Sequence, residues 1–316
     1  MNLALFKQHI DEIAAINTAS NPYIRFQVNP DQAFPRTDLS SSVIDCDPST
    51  PINCSPSSLS IYTQAIDYAN SKSVDVFLIV VVPYWAKYYS PVINTWETSY
   101  TLAQYKTVSE SFLDEVFTLW SGKVDVWQVF NEANKHAFDS YADVDFSTNL
   151  TYETKATQVL THIGSYLSTN YPLETITINV GGWPLNDAVI VKMKYFFDAV
   201  HADFDDISVD FYPDDDPVII DKISDYVVDF VTTYSKDVHI AEIGMCVDTV
   251  RFNEADQANY LPQYLDEGTV GGATSVILYQ YQDNPNFTPP CEDKFGIKRA
   301  DGTQRPAYQA VINYIT

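Results

Sequence analysis

Residues 124 to 134 read VDVWQVFNEAN, an apolar run that ends abruptly in a polar segment. Its β-branched and aromatic residues predict a buried strand, and Glu132 stands where that strand ends. A carboxylate that is buried or half-buried costs free energy unless it is paired or serves a function. Glu132 therefore predicts a partner group elsewhere in the chain.

A second stretch has the same build. Residues 238 to 245 read VHIAEIGM, a short apolar strand with Glu242 near its carboxyl end. Each glutamate alone is equally consistent with an ion-paired strand end, because structural ion pairs also occur at such positions. The organisation of the chain between the two glutamates distinguishes these interpretations.

Strand-like and helix-like segments alternate along the whole chain. This alternation predicts a parallel sheet with crossover helices, and we expect a single (β/α)8 TIM barrel domain over residues 1–316. In such a barrel both glutamates open onto the C-terminal rim, where active sites are found. Besides the two glutamate strands, we predict strands at 23–28, 74–82, 175–183, 207–213 and 274–281, and helices near 3–17, 58–72, 101–120, 152–169, 187–202, 217–235, 254–266 and 306–314.

The predicted pattern contains seven strands and begins with a helix, so barrel strand 1 is not evident. We expect that the sequence begins after that strand, which would also account for the absence of a secretory signal. A barrel without one strand would expose two unpaired edges.

The composition suits one large domain and argues against two classes of partner. The 316 residues are 46% hydrophobic, which is enough for a sizeable core. A net charge of −24 would repel nucleic acid and anionic membranes. No apolar run reaches the length that spans a bilayer. We therefore expect neither nucleic acid nor a membrane as a partner.

The four cysteines favour an oxidising compartment. Cys46 and Cys54 lie in one polar loop, and Cys246 and Cys291 follow two strands that a barrel would make neighbours. Of the three possible pairings we predict Cys46–Cys54 and Cys246–Cys291, with free buried thiols as the alternative. No metal site is predicted, because Cys-x-x-Cys and paired histidine spacings are absent. We expect a secreted, monomeric glycoprotein, with sequons at Asn53, Asn149 and Asn286.

The residues around the two glutamates resemble the clan of retaining glycoside hydrolases built on the TIM barrel. Asn131-Glu132 is similar to the clan's Asn-Glu pair, in which the asparagine binds the sugar 2-hydroxyl. Arg25 resembles the strand-two arginine that orients the nucleophile. Tyr212 resembles the tyrosine that is hydrogen-bonded to the nucleophile. The resemblance extends over nearly the whole chain in the expected order.

Two further motifs are similar to the family that contains β-xylosidases and α-iduronidases. They are VGGWP at 180–184 and FGIKRADGTQRPAY at 295–308. The sequence also departs from that family. Asp210 stands where many relatives have a histidine, and the strand-eight tryptophan is not evident near residues 279–281. Both departures concern the substrate more than the reaction type.

The resemblance implies a retaining O-glycosyl hydrolase that acts on a β-linked poly- or oligosaccharide and requires no cofactor. Such enzymes use one protonated and one ionised carboxyl, about 5 to 5.5 Å apart, and form a covalent glycosyl-enzyme. Glu132 is the expected acid/base and Glu242 the expected nucleophile. The alternative is a non-catalytic carbohydrate-binding or interaction protein on a hydrolase-derived barrel. A pure binder has no need of two close, mutually repelling carboxylates, which favours catalysis.

Other residues at or just after strand ends are candidates for substrate binding. Trp85, Trp183 and Tyr281 offer aromatic faces that stack on sugar rings, although each alone is equally consistent with core packing. Asp210 is expected to contact substrate, with capping of the next helix as the alternative. Two residues that are out of phase with the glutamates are expected to be structural, Trp127 and His239.

Overall fold

The computed structural model describes residues 2–16, 21–28, 56–80, 102–136, 150–213, 216–248, 251–285 and 291–316. The chain forms two compact units. The N-terminal unit contains Met1–Ala15, Asn21–Val180 and Tyr195–Asp205. The C-terminal unit contains Ile16–Ser20, Gly181–Lys194 and Asp206–Thr316.

Helices and strands alternate through the described residues. The elements up to residue 182 are α1 (Leu3–Ala14), β1 (Tyr23–Val28), α2 (Pro56–Ser71), β2 (Asp75–Val80), α3 (Leu102–Trp120), β3 (Val126–Val129), α4 (Ala133–His136), α5 (Leu150–Asn170) and β4 (Ile176–Gly182). The later elements are α6 (Asp187–Val200), a 3-10 turn (His201–Asp203), β5 (Asp206–Phe211), α7 (Pro217–Ile220), α8 (Ile223–Tyr234), β6 (Val238–Ile243), α9 (Glu254–Val270), β7 (Ser275–Leu278), a 3-10 turn (Glu292–Lys294) and α10 (Pro306–Ile315).

Parallel strand pairing runs through each unit. In the N-terminal unit β2 lies between β1 and β3, and β3 also pairs with β4. In the C-terminal unit β6 lies between β5 and β7. The order of the seven described strands in the sheet follows their order in the chain. Sequential parallel strands with intervening helices are the TIM barrel arrangement, so the predicted fold class is confirmed.

Strands β2 and β3 show how the sequence specifies the sheet. The residues of β2 from Val76 to Val80 are all buried, as expected for a parallel strand whose faces are both covered. In β3 the Trp127 ring stacks on Phe117 of α3, with centroids 3.9 Å apart. Trp127 is 0% exposed, which confirms that it belongs to the core. Gln128 therefore faces the opposite side of the strand.

His239 links three strands of the C-terminal unit. Its Nδ1 lies 2.9 Å from the Ser275 hydroxyl of β7, and its Nε2 lies 3.2 Å from an Asp206 carboxylate oxygen of β5. The histidine is 2% exposed, and both of its ring nitrogens have polar partners inside the protein. These contacts confirm that His239 is structural.

One predicted helix is two helices in the structure. The segment predicted at 217–235 forms α7 and α8, which are separated by a turn that ends at Lys222. Asp216 caps α7 by accepting a hydrogen bond from the backbone N–H of Val218 at 2.9 Å. Apolar residues continue at helical spacing across both helices, so periodicity alone does not reveal the turn.

Among the helices that the structure describes, none combines the length and the apolar character needed to cross a lipid bilayer.

Candidate active site

A strained turn follows β3 and carries Glu132. Phe130 and Glu132 have left-handed backbone conformations, with φ angles of 75° and 48°. Non-glycine residues rarely adopt this conformation, and such strain is concentrated at functional sites. The Asn179 side chain accepts a hydrogen bond from the backbone N–H of Glu132, at 2.7 Å. Because Asn179 is fully buried in β4, a rigid strand holds the Glu132 backbone.

Arg25, Gln128 and Asn131 form one hydrogen-bonded cluster in the N-terminal unit. Arg25 donates to Gln128 Oε1 from Nε at 3.0 Å and from Nη2 at 2.8 Å, and Nη2 also donates to Asn131 Oδ1 at 2.7 Å. Gln128 Nε2 donates to Asn131 Oδ1 at 3.3 Å and to the Phe130 carbonyl at 2.6 Å. The structure thus brings the predicted residues Arg25 and Asn131 together and orients the Asn131 amide.

Sequence analysis missed Gln128 and Asn179. Each is a fully buried amide side chain inside a strand that was predicted to belong to the core. A buried amide costs free energy unless it is hydrogen-bonded, so such a residue in an apolar strand indicates a fixed polar partner. This is the signal by which both residues could have been found.

Tyr212 and Glu242 are in direct contact within the C-terminal unit. Glu242 is the next-to-last residue of β6, and Tyr212 directly follows β5. Each is 9% exposed, and the Tyr212 hydroxyl donates a hydrogen bond to Glu242 Oε2. A hydrogen bond donated to a carboxylate stabilises its charged form. The structure therefore brings together two of the residues predicted to act in one site.

Two further aromatic rings pack against Tyr212. The Tyr212 ring meets Tyr279 and Phe295 edge to face, with centroids 6.3 and 5.6 Å apart, and Tyr279 meets Phe295 at 5.4 Å. A Cβ atom added to Gly244, two residues after Glu242, would lie 2.1 Å from the Tyr279 carbonyl oxygen. Only glycine allows this close approach. The peptide bond between Tyr279 and Gln280 is cis. Because its ring packs against Tyr212, Tyr279 is a further candidate site residue.

Two other predicted substrate-binding residues, Asp210 and Tyr281, lie in different parts of the C-terminal unit. Asp210 is 0% exposed in β5, and its Cα pairs with that of Glu242 in the neighbouring strand. The capping role that we considered for Asp210 belongs to Asp216, as described above. The Tyr281 ring contacts Tyr308 of α10, with centroids 6.4 Å apart, and the Lys298 ammonium lies 5.4 Å from its centroid. Of the tyrosines after β7, Tyr279 rather than Tyr281 packs against Tyr212.

Trp183 directly follows β4 and exposes 52% of its surface. It precedes a cis peptide bond to Pro184, and the guanidinium carbon of Arg251 lies 5.7 Å from the centroid of its ring. An exposed tryptophan held in this way is a suitable platform for a sugar ring. The third predicted aromatic residue, Trp85, lies outside the described residues.

A disulfide bond joins Cys246, just after β6, to Cys291. This bond confirms one of the two predicted pairings. The other pairing, Cys46–Cys54, and the three sequons lie outside the described residues. The Asp248 carboxylate lies within 4.8 Å of both sulfur atoms. Because these sulfurs are joined to each other, they are not thiolate ligands for a metal.

A buried ion-pair network supports the segment after β7. Arg305 is 6% exposed, and its guanidinium donates to both carboxylate oxygens of Asp283 at 2.7 Å and to Glu254 at 3.2 Å. Arg299 donates to the same Glu254, at 2.9 and 2.6 Å. Burial raises the pKa of Glu254, but hydrogen bonds from Arg299 and Arg305 outweigh it and lower the pKa below its ordinary value. Glu254 therefore stays charged within the network at neutral pH.

Solved structures with a similar fold are glycoside hydrolases. A family 39 glycoside hydrolase from Bacteroides cellulosilyticus WH2 has a TM-score of 0.61 at 15% sequence identity, over 99% of this chain and 60% of its own. The exo-β-1,4-mannosidase from Opitutaceae bacterium strain TAV5 has a TM-score of 0.66 at 14% identity, over 98% of this chain and 55% of its own. A double mutant of the β-glucosidase from Trichoderma harzianum has a TM-score of 0.72 at 10% identity, over 99% and 86%.

The chain spans about 60% of the length of the first of these proteins and 55% of the second. No protein-family model matches the sequence, and no curated protein matches it. Sequence identities of 10 to 15% establish a shared fold and nothing further. This chain thus has the TIM barrel fold of its structural neighbours, which are glycoside hydrolases.

Proposed function

We propose that this protein is a retaining glycoside hydrolase that cleaves β-linked oligo- or polysaccharides. The hydrogen bond from the Tyr212 hydroxyl to the Glu242 carboxylate carries the proposal, because it stabilises the ionised carboxylate that a nucleophile requires. Two of the structural neighbours are a β-1,4-mannosidase and a β-glucosidase, which supports a β-linked substrate.

Glu242 is the nucleophile in this proposal and Glu132 the acid/base. Glu242 lies at the carboxyl end of β6 and Glu132 lies in the turn that follows β3, and TIM barrel enzymes carry their catalytic residues at such positions. Glu132 protonates the departing glycosidic oxygen while Glu242 attacks the anomeric carbon. Glu132 then deprotonates the water that hydrolyses the glycosyl-enzyme, which restores both carboxyl groups. All of these steps are carried out by side chains of the chain itself.

Asn131 is the proposed ligand of the sugar 2-hydroxyl. Hydrogen bonds to this hydroxyl strengthen in the transition state of glycoside hydrolysis. Arg25 and Gln128 both donate to Asn131 Oδ1, which fixes the orientation of the amide before substrate binds. Preorganisation of this kind avoids an ordering cost during the reaction. We further propose that the protein is secreted and acts as a monomer.

The second candidate function is carbohydrate binding without catalysis. The exposed Trp183 is the observation that favours it, because aromatic platforms serve binding proteins as well as enzymes. The strained turn at Glu132 and the hydrogen-bonded Glu242 favour catalysis, since binding alone does not require a carboxylate in either position.

The proposal is tested with aryl β-glycosides and β-linked polysaccharides, by measuring released phenol or reducing ends. Glu242→Ala should lower turnover by at least about 10³-fold, and added azide should partly restore it by forming a glycosyl azide. The matched control is Glu115→Ala, which removes an exposed glutamate of α3 and should retain full activity. NMR of the product that forms first should show the same anomeric configuration as the substrate.

Full activity in Glu242→Ala would contradict the nucleophile assignment. Release of the opposite anomer would contradict retention. Failure of the native protein to hydrolyse any substrate, combined with saturable binding of the same polysaccharides, would favour the binding-protein function.

A further inference from the structure

Trp183 and Arg251 form an exposed pair in the C-terminal unit. The Arg251 guanidinium covers one face of the indole, while about half of the Trp183 surface remains accessible. Arg251 also lies over the ring of Phe252, with its guanidinium carbon 5.3 Å from the centroid, and Phe252 is buried. The guanidinium thus lies against the rings of Trp183 and Phe252, and the Trp183–Arg251 pair presents an aromatic surface and guanidinium donors side by side.

Asp248 fixes the direction of the Arg251 side chain. The Asp248 carboxylate accepts from the backbone N–H of Arg251 at 2.5 Å and from its Nε at 3.2 Å. Because this contact uses Nε, the two terminal amino groups of the guanidinium do not take part in it, and they are the donors that we assign to a ligand. The carboxylate also balances the charge of the arginine, so Arg251 and Asp248 together are electrically neutral.

Two separate sets of contacts connect the Trp183–Arg251 pair to Glu242. On one side, the backbone N–H of Leu185, two residues after Trp183, donates to the Tyr212 carbonyl at 3.0 Å, and the Tyr212 hydroxyl donates to Glu242. On the other side, the chain runs from Glu242 through Cys246, whose disulfide bond to Cys291 holds the segment that carries Asp248. Both ends of the pair are therefore held relative to the proposed nucleophile.

We propose that Trp183 and Arg251 form a secondary sugar-binding subsite, with Asp248 as the residue that positions Arg251. This inference rests on the proposed function, because it takes Glu242 as the point of cleavage. A sugar ring stacks on the exposed part of the indole, and its hydroxyl groups accept hydrogen bonds from the Arg251 amino groups. The occupant is a neutral sugar unit of a β-linked oligosaccharide, beyond the unit whose bond is cleaved.

Charge supports a neutral occupant. The protein has a net charge of −24, which repels anionic polysaccharides at long range. Arg251, the cation of the subsite, is already paired with Asp248 at 3.2 Å. An anionic sugar would therefore find the charge of Arg251 already balanced by Asp248, on a protein that is strongly negative as a whole.

The test compares kcat/KM for an aryl β-glycoside of one sugar with kcat/KM for neutral β-linked oligosaccharides of two to six sugars. In Trp183→Ala and Arg251→Gln, the loss on the longer oligosaccharides should exceed the loss on the aryl glycoside by about 10-fold. For Asp248→Asn, KM for the oligosaccharides should rise more than kcat falls. The control Lys222→Gln breaks an exposed ion pair with Asp187 elsewhere in the same unit and should alter neither substrate class.

The proposed subsite would be overturned if kcat/KM fell equally for the aryl glycoside and the oligosaccharides, or if it fell for neither. Calorimetric binding of the same oligosaccharides to the native protein and to Trp183→Ala separates this result from failure of the proposed function. Weaker binding to the variant would support the subsite even if the native protein hydrolyses nothing. Unchanged binding, or no binding to the native protein, would overturn it.

Discussion

The Tyr212 hydroxyl donates a hydrogen bond to the carboxylate of Glu242, and both side chains are 9% exposed. Tyr212 directly follows β5 and Glu242 lies in the adjacent strand β6, and the Tyr212 ring packs against Tyr279 and Phe295. The phenol therefore has little freedom to leave the carboxylate. Its contribution is electrostatic stabilisation of a negative charge at a fixed position.

Tyr212→Phe removes this hydrogen bond and keeps the ring. Hydrogen bonds to charged groups contribute about 1.5 to 3 kcal/mol, so we expect kcat to fall by about 10- to 100-fold. The measurement is steady-state hydrolysis of an aryl β-glycoside. Tyr226→Phe is a matched control, because the Tyr226 hydroxyl also donates to a carboxylate, that of Asp187, at 2.7 Å. A similar fall in both variants would mean that the effect is general destabilisation.

The hydrogen bond between Asn179 Oδ1 and the backbone of Glu132 supports a second prediction. Asn179→Ala removes the buried acceptor that holds the strained turn, at a cost of about 1 to 3 kcal/mol in the free energy of unfolding. Acid assistance matters most when the leaving group is poor. We therefore expect kcat/KM for unactivated substrates to fall about 10-fold more than kcat/KM for an activated aryl glycoside.

The control for this variant is Asn170→Ala, which removes an exposed amide that donates to the Tyr166 carbonyl. This variant should leave kcat/KM unchanged both for the unactivated substrates and for the activated aryl glycoside. If Asn179→Ala lowers kcat/KM equally for activated and unactivated substrates, the turn does not position an acid catalyst.

Much of the fold follows from local sequence patterns. The apolar run of β2 and the repeated strand–helix alternation are local signals that depend on neighbouring residues alone. Strand β1 was predicted with the observed bounds, and α3, α6 and α10 nearly so. Glu132 and Glu242 were also recognisable, because a carboxylate at the end of an apolar strand is a local anomaly.

Contacts between residues far apart in the chain were not predictable in the same way. In the sequence, Gln128 looks like an ordinary strand residue. Only the structure shows that Arg25, 103 positions away in the chain, donates a hydrogen bond to it. Likewise, Tyr279 and Tyr281 are indistinguishable by spacing alone, and the packing of Phe295 and Tyr212 singles out Tyr279. The left-handed backbone of Glu132 also depends on a hydrogen bond to another strand. Such relationships require the tertiary structure.

The Cys246–Cys291 disulfide supports a prediction about stability. The two cysteines are separated by 45 positions, and closing a loop of this length stabilises the folded state by about 4 kcal/mol in the chain-entropy model. The double variant Cys246→Ala, Cys291→Ala should lose about that amount in denaturant unfolding. The measurement is the free energy of unfolding, with an unchanged dependence on denaturant as the control for two-state behaviour. Equal stability of the variant and the native protein would contradict the prediction.

The network around Glu254 predicts a pH-dependent stability. Arg299 and Arg305 hold the pKa of Glu254 below its ordinary value of 4.5 in the folded protein, despite the opposing effect of burial. A carboxyl group whose folded-state pKa is lowered stabilises the fold fully above its unfolded-state pKa, and this contribution is lost as the pH falls through the folded-state pKa. The contribution should therefore be complete at pH 7 and decline once the pH falls below about 4.5.

Glu254→Gln tests this expectation, since the amide keeps the size of the side chain and removes its charge. We expect the variant to be about 1 to 3 kcal/mol less stable at pH 7, because Arg305 is buried and loses a charged partner. The difference should shrink as both proteins are acidified below about pH 4.5, because Glu254 then takes up a proton more readily in the unfolded chain than in the folded protein. Glu115→Gln, on the exposed face of α3, should show no such difference at any pH. A gap that stays constant from pH 7 to pH 3 would mean that the charge of Glu254 does not stabilise the network.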